Sequence, residues 1–458
     1  MPTFGTDGVR GLANAELTPE LALSLGRAAA RVLGKGGFVV GRDTRRSGPM
    51  IQAALMAGLA SQGADVADAG VLPTPGVAHL CAHRGLAGAV ISASHNSFAD
   101  NGVKLFGPGG TKLSEKAEAA VSAELGDLGV AAAEACEDPN RPTGPAVGWI
   151  SSDADGVEHY RAHLLRALEG RRLTGVRVVL DCARGAASGL AASVFAGLGA
   201  DVVGVLADNP DGTNINEDCG STCPDALQQA VVERRADVGL AFDGDADRVV
   251  AVDERGGLVD GDQLLALFAP DLRARGQLLG GAVVVTVMAN LGLHQAMAAQ
   301  GIGVREVAVG DRNVLVGLEE GDLALGGEQS GHIIFRERAT TGDGILTGLL
   351  LADLVSRRGR PLSELAGEAM TRLPQELVNV RVGDPGQLAG AEQVWAAVAA
   401  AGSSLGRSGR VVVRASGTEP LVRVMVEAPT REQAVELSTQ LAAVVGRELG
   451  AAGSNRRS

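Results

Sequence analysis

Short runs rich in β-branched residues alternate with helix-patterned stretches along most of the chain, and that alternation admits few folds. It implies α/β layers, with parallel strands covered by helices. TPELALSLGRAAARVL (18–33) reads as a helix. Thr18 is placed to cap it, Pro19 suits the first helical position, and Glu20 puts negative charge where the helix dipole favours it. FVVG (38–41) and GAVIS (88–92) read as strands, the first followed by the loop RDTRRSG. A second unit begins near residue 151, with strands VRVVL (176–180) and DVVGV (201–205) around the helical ASGLAASVFAGLG. ADVGLAFDGDADRVVAVDE (236–254) then reads strand, acidic loop, strand. A third unit carries GAVVVTVMA (281–289), VREVAV (304–309) and LALGGEQSGHIIF (323–335), again strand, loop, strand. Residues 371–458 change character: three strands (VNVRV, GRVVVRAS, LVRVMVEA) precede the amphipathic REQAVELSTQLAAVVGREL, an α+β pattern. The expected division is 1–150, 151–254, 255–370 and 371–458. Three α/β units of similar length suggest a shared plan. EACEDPNRPTGP (134–145) is the expected linker, and the tail GSNRRS is expected to be disordered.

A length of 458 residues suits several domains. Aromatics are only 2% of the chain, so its cores must be built from Ala, Val and Leu. The net charge of −13 disfavours nucleic acid, which needs basic faces, but allows a small phosphorylated substrate in a local basic pocket. No basic-then-apolar leader opens the chain and no uninterrupted 18-residue apolar run occurs, so a cytoplasmic, non-membrane protein is expected. Five scattered cysteines do not resemble a disulfide framework, and ordinary thiols are expected even for the C-x3-C pair Cys219 and Cys223.

Four stretches carry chemistry. In FDGDADR (242–248) three carboxylates, Asp243, Asp245 and Asp247, crowd one loop and repel one another unless a cation holds them. Oxygen-only ligands point to a hard ion, Mg²⁺ or Mn²⁺. A calcium loop is excluded because Arg248 stands where its glycine belongs. The alternative is a solvated acidic turn. In ISASHNSFADNGVK (91–104), Ser94 sits beside His95. Neighbours on an extended segment point to opposite faces, and no G-x-S-x-G elbow is present, so a phosphoryl carrier suits Ser94 better than a hydrolase nucleophile. RASGTEPLVRV (414–424) gathers Arg414, Ser416, Gly417 and Thr418 in one turn, either a phosphate cradle or an ordinary polar hairpin. GGEQSGH (326–332) brings Glu328, Ser330 and His332 to one face if it is extended, and a carboxylate beside a hydroxyl suits vicinal sugar hydroxyls. His79, His83, His159, His163 and His294 read as structural histidines.

Taken in order with FGTDGVRG (4–11), NINEDCGS (214–221), DGDQLLAL (260–267), VGDRNV (309–314) and TTGDGI (340–345), these stretches resemble the α-D-phosphohexomutase superfamily, and within it the bacterial phosphoglucosamine mutases. The resemblance covers nearly the whole chain. It implies three related α/β domains with mixed sheets plus a C-terminal α+β domain around a central cleft. The domains would supply, in turn, the phosphoserine loop, the metal loop, the sugar loop and the phosphate cradle. It implies that Ser94 carries the phosphoryl group, beside Arg10 and Lys104, with Lys104 and His332 as acid/base groups. One Mg²⁺ would be held by Asp243, Asp245, Asp247 and the group on Ser94. Arg248, Glu328 and Ser330 would contact the sugar phosphate, and Arg414, Ser416, Gly417, Thr418 and Arg423 would hold its non-reacting phosphate. Glucosamine 1,6-bisphosphate would be both intermediate and activator, and the subunit leaves room for a homodimer.

The chain departs from the family pattern at Ser97, where Pro is usual after S-H-N, at Cys223, and at Arg184. Three other readings stay open: a phosphoglucomutase or phosphomannomutase of the same superfamily, a metal-dependent sugar phosphatase, and a non-catalytic sugar-phosphate sensor.

Overall fold

A computed structural model describes residues 8–131, 141–416 and 420–450. Most of the expected linker and the whole of the tail GSNRRS lie outside these residues.

Four sheets follow one another along the chain. In spatial order the first comprises Val9–Leu12, Asp100–Phe106, Ala87–Ile91, Phe38–Arg42, Val66–Val71 and Ile150–Ser152. The second comprises Leu258–Val259, Val249–Asp253, Val238–Phe242, Arg177–Asp181 and Asp201–Leu206. The third comprises Gly303–Val307, Ala282–Thr286, Leu325–Gly327 and Ile333–Phe335. The fourth, antiparallel throughout, comprises Gln375–Arg381, Leu421–Glu427 and Arg410–Ala415.

The first three sheets are mixed, and they share one device. In each, a strand that pairs parallel with an inner neighbour ends in a functional loop and returns antiparallel. Ala87–Ile91 returns as Asp100–Phe106, Val238–Phe242 as Val249–Asp253, and Leu325–Gly327 as Ile333–Phe335. The three reversals carry the Ser94, Asp243 and Glu328 loops. This is the physical form of the shared plan expected from sequence.

The helix Pro19–Leu33 is capped as anticipated, Leu21 N–H donating to Thr18 Oγ1 at 3.3 Å. The helix expected from Ala187 is shorter, Ala191–Gly197, because residues 183–190 form turns, opening with Ala183 and Arg184 at φ +52° and +48°. Val9–Leu12, Asp100–Phe106 and the exposed edge strand Ile150–Ser152 were not anticipated as strands.

One apolar cluster runs through the first three sheets, joining Val39, Tyr160, Leu180, Phe242, Val285 and Leu349. The fourth sheet has its own core, between Val382 and Leu449. Among the described residues no helix is long and apolar enough to cross a membrane.

Candidate active site

Ser94 follows directly from its loop. It adopts φ +53°, and its carbonyl accepts from Arg45 Nη2 and Asn216 Nδ2, both at 2.9 Å. The hydroxyl donates to Asp243 Oδ2 at 2.5 Å, across the boundary between the first two sheets. Gly244 permits that approach, since a Cβ there would meet the Ser94 carbonyl oxygen at 2.5 Å.

The left-handed turn overturns the opposite-face expectation. His95 Nδ1 lies 3.4 Å from Ser94 Oγ, because the segment is bent rather than extended. The pair still makes no hydrolase dyad: Arg248 Nη1 is 3.2 Å from the same His95 nitrogen. Burial, Arg248 and Arg10 hold the His95 pKa down to about 4, against Asp247 and Asp245.

Arg45 is the organiser that sequence reasoning missed. Fully buried, it pairs with Asp43 at 2.9 Å. Its guanidinium donates to the carbonyls of Ser94, Asn96, Ser97 and Asp100. Ser92 Oγ closes the set, donating to Asp43 and accepting from Ser94 N–H. The charged loop RDTRRSG was the available signal, but nothing local says which arginine turns inward.

Asp243, Asp245 and Asp247 are buried, with carboxylate oxygens all within 4.8 Å of one another. Lys104 Nζ donates to Asp245 at 2.7 Å and Asp247 at 3.2 Å, and Thr74 Oγ1 to Asp245 at 2.6 Å. Burial, then Asp247 and Asp245, push the Asp243 carboxyl well above the usual carboxylate range. Burial and Asp247 also push Asp245 upward, but Lys104 and Thr74 more than offset them and its pKa is lowered. Asp247 falls well below the usual range, because Lys104, His332 and Arg248 outweigh burial. Asp245 Oδ1 and Asp247 Oδ1 are buried without a hydrogen-bond partner. Orphaned oxygens in a dry carboxylate cluster fit a hard divalent cation, so the residues present suit Mg²⁺.

Glu328 and Ser330 face one another, Ser330 Oγ donating to Glu328 Oε2 at 3.3 Å, while Gly310 N–H donates to Glu328 Oε1 at 3.1 Å. His332 is not presented to solvent. It is 1% exposed, its Nε2 accepts from Gly342 N–H at 2.9 Å, and its Nδ1 faces Asp247 at 3.8 Å. Burial lowers its pKa, but Asp247, Asp311 and Glu328 raise it further. The Gly342 N–H nevertheless requires a lone pair on Nε2, so the proton sits on Nδ1, toward Asp247.

Across the cleft Arg414 and Arg423 stand directly opposite one another on neighbouring strands. Like charges so placed are destabilising unless an anion joins them. Burial and Arg423 lower the Arg414 pKa, against Glu328, which places the pair within electrostatic reach of the sugar loop. Ser416 N–H donates to the Leu421 carbonyl at 2.8 Å. Gly417 and Thr418 lie outside the described residues. Arg10 is held on Val9–Leu12, paired in register with Gly102.

Four family models, described as phosphoglucomutase/phosphomannomutase alpha/beta/alpha domains I, II and III and C-terminal domain, match residues 1–128, 158–257, 260–373 and 377–444. The phosphoglucosamine mutase of Mycolicibacterium paratuberculosis is 50% identical over 96% of this chain and 98% of its own length. That of Moorella thermoacetica is 54% identical over 94% and 96%. The chain belongs to the phosphoglucosamine mutase family. It is accordingly an isomerase of the mutase type. A phosphoglucomutase/phosphomannomutase family protein of Burkholderia thailandensis shares the fold at a TM-score of 0.81 and 24% identity, covering 99% of this chain and 98% of its own. The Aspergillus fumigatus N-acetylphosphoglucosamine mutase, solved with GlcNAc-6P and magnesium, superposes at 0.69 and 19% identity over 97% and 95%.

Two ion pairs of the chain escaped sequence reasoning. Lys112 pairs with Asp311 and Glu118 with Arg312, tying the first unit to the helix Asp311–Gly321 of the third. Each pair is some 200 positions apart in sequence, so no local pattern announces it.

Proposed function

We propose that the chain interconverts glucosamine 6-phosphate and glucosamine 1-phosphate through a phosphoserine at Ser94 and a 1,6-bisphosphate intermediate, supplying amino-sugar precursors of the cell wall in the cytoplasm. The observation that carries this reading is the Ser94 hydroxyl hydrogen-bonded to a buried three-carboxylate cluster, opposite a paired-arginine cradle. The relatives' names supply the sugar.

Asp243, Asp245 and Asp247 would hold Mg²⁺, which would supply charge neutralisation to the phosphoryl group on Ser94. Arg414, Ser416, Gly417, Thr418 and Arg423 dock the phosphate that is not reacting. Glu328 and Ser330 bind sugar hydroxyls, while Arg248 and Arg10 flank the transferring phosphoryl. In the first transfer the bond from phosphorus to Ser94 Oγ breaks as the bond to the C1 oxygen forms. The C1 hydroxyl's proton ends on Ser94 Oγ, and the bisphosphate then returns its C6 phosphoryl by the reverse step. Lys104 is the proton carrier in this scheme, while His332, with both nitrogens engaged, positions Asp247. Such transfer rests on positioning and charge neutralisation more than on covalent machinery. The units 1–150, 151–254, 255–370 and 371–458 each contribute one loop. The acidic surface argues against nucleic acid, and a homodimer is compatible with the scheme.

The test is a mutase assay with Mg²⁺, comparing glucosamine, glucose and mannose phosphates, each with a trace of its bisphosphate. Preference for glucosamine phosphate with no turnover by Ser94→Ala is expected. Preference for glucose or mannose would move the function to a sister enzyme, and a Ser94→Ala protein that still released phosphate would make it a phosphatase.

A further inference from the structure

Of the seven histidines in the chain, four meet at one place outside the cleft. His79 and His83 lie one turn apart on the helix Thr74–Arg84, and His159 and His163 one turn apart on Gly156–Arg166. Side chains four residues apart share a helix face, and these two faces oppose each other. His79 Nε2 is 3.1 Å from His159 Nδ1. The rings of His79 and His163, and those of His83 and His159, have centroids 4.2 Å apart. Sequence reasoning read each of the four as a structural histidine, and the packing of the two helices adds that they meet.

We propose that His79, His83, His159 and His163 bind one borderline divalent transition-metal ion, of the Zn²⁺ or Ni²⁺ class, that braces the two helices together. Imidazole is a preferred ligand of these ions. Tetrahedral zinc with nitrogens at about 2.0–2.1 Å sets neighbouring nitrogens about 3.3 Å apart, close to the His79–His159 separation. A hydrogen bond between two neutral rings accounts for that one contact, and His163 is also bonded to the Arg338 backbone, but neither bond accounts for four rings gathered at one place.

The ligands carry no competing protons near neutrality. Burial, with His163, His159, His83 and Arg166, takes the His79 pKa down to about 3, and burial also lowers His159 and His163. Of the cations nearby, Arg84 is matched by Asp153 and Arg338 by Glu169, which leaves Arg166 weighing against a bound ion. The exposed His83 gives access from solvent. Among the described residues the triads already within 4.8 Å are Asp243, Asp245 and Asp247, and Asp247, Asp311 and His332, so the rings of these four histidines must turn to converge. Rotation about the terminal ring torsion is soft, and three of the four rings are only half-buried. The first helix belongs to the unit bearing Ser94 and the second to the unit bearing Asp243, so a bound ion would brace the two halves of the phosphoryl site from behind.

The experiment strips the full-length protein with chelator, restores excess Mg²⁺ to occupy the acidic cluster, and titrates ZnCl₂ and NiCl₂ calorimetrically. The wild type is expected to bind one ion per chain and to melt at a higher temperature with it. The His83→Gln/His163→Gln double variant is expected to bind at least about tenfold more weakly, a 1.4 kcal/mol difference, with its metal-free melting temperature unchanged. If the double variant melts early without metal, the exposed His83→Gln alone must still weaken binding. Equal affinity in wild type and variant, or no binding by the wild type, overturns the proposal.

Discussion

The two walls of the cleft are built differently. On the reacting wall, the first three sheets share one continuous apolar cluster, and directed bonds lock their loops together. Ser94 reaches Asp243, and Thr74 binds Asp245 through both its side chain and its N–H. On the docking wall, the fourth unit keeps a separate core. It meets the third mainly through polar contacts. Gln375, on the fourth sheet, donates to the Met288 carbonyl at 3.4 Å, Leu291 N–H donates to Glu427 at 2.9 Å, and Gln295 donates to the Arg407 carbonyl at 3.2 Å. Each such bond exchanges with water for a net of only about 0.5–1.5 kcal/mol, whereas apolar burial resists opening in proportion to its area. The reacting end is therefore rigid and the docking end adjustable. The bisphosphate of the proposed scheme, which must present first one end and then the other, would ask for that division: fixed geometry at phosphorus, tolerant charge-based grip at the far phosphate.

Substitutions on the reacting wall are expected to act on kcat. Asp247→Asn removes one carboxylate from the cluster and a partner of Lys104 and His332. A fall in kcat of about 10³-fold, roughly 4 kcal/mol, is expected, with the substrate's KM little changed. A loss confined to KM would put the acidic cluster on the docking side and erase the contrast.

Arg45→Ala probes what keeps that wall rigid. It removes the charge partner of Asp43 in a fully buried site and takes a donor from four loop carbonyls, of which those of Ser94 and Asn96 keep Asn216. Breaking a buried pair from one side costs about 3–5 kcal/mol, readable as a lower urea midpoint. The sign with pH follows from Asp43, whose folded pKa is already raised, chiefly by burial and against Arg45. Without Arg45 it rises further, so the folded variant holds the proton more tightly than the unfolded chain does. The deficit should shrink as pH falls toward the ordinary carboxylate value and widen toward neutrality. A deficit independent of pH would mean that Asp43 is not the group left stranded.

Arg414→Ala, on the docking wall, would remove one charge-assisted partner that the proposed scheme gives the far phosphate. About 1.5–3 kcal/mol, or some 10- to 100-fold, should appear mainly as a raised KM. A comparable fall in kcat at saturation would show that the cradle also sets geometry at phosphorus, and the adjustable wall would have to be redrawn as rigid.

The sequence carried the loops better than it carried their supports. The Ser94, Asp243, Glu328 and Arg414 stretches are contiguous, so each could be read as a unit, and the strand-loop-strand alternation placed the Asp243 and Glu328 loops at sheet reversals, while the return strand Asp100–Phe106 behind the Ser94 loop went unread. What escaped was long-range or conformational. Arg45, the Lys112–Asp311 and Glu118–Arg312 pairs, and the meeting of His79 with His159 depend on segments distant in the chain. The placing of His95 failed for a local reason, since one residue in the left-handed region reverses the alternation on which facing arguments depend.

The smallest effect concerns the departure at Ser97. Proline after S-H-N would stiffen the loop by fixing φ, and its absence raises the question of what holds the loop here. Arg45 is the answer: it takes the Ser97 carbonyl together with those of Ser94, Asn96 and Asp100, and Asn216 takes those of Ser94 and Asn96 again. A loop tied at four carbonyls gains little from a further backbone constraint. Ser97 is itself exposed. Ser97→Pro should therefore leave kcat within about threefold, under roughly 0.7 kcal/mol, and should recover part of the loop order lost in Arg45→Ala when the two are combined. A rise in kcat of about 100-fold, roughly 2.7 kcal/mol, in the single variant would mean that Arg45 leaves the serine poorly placed and that the rigid wall is less rigid than its hydrogen bonds imply.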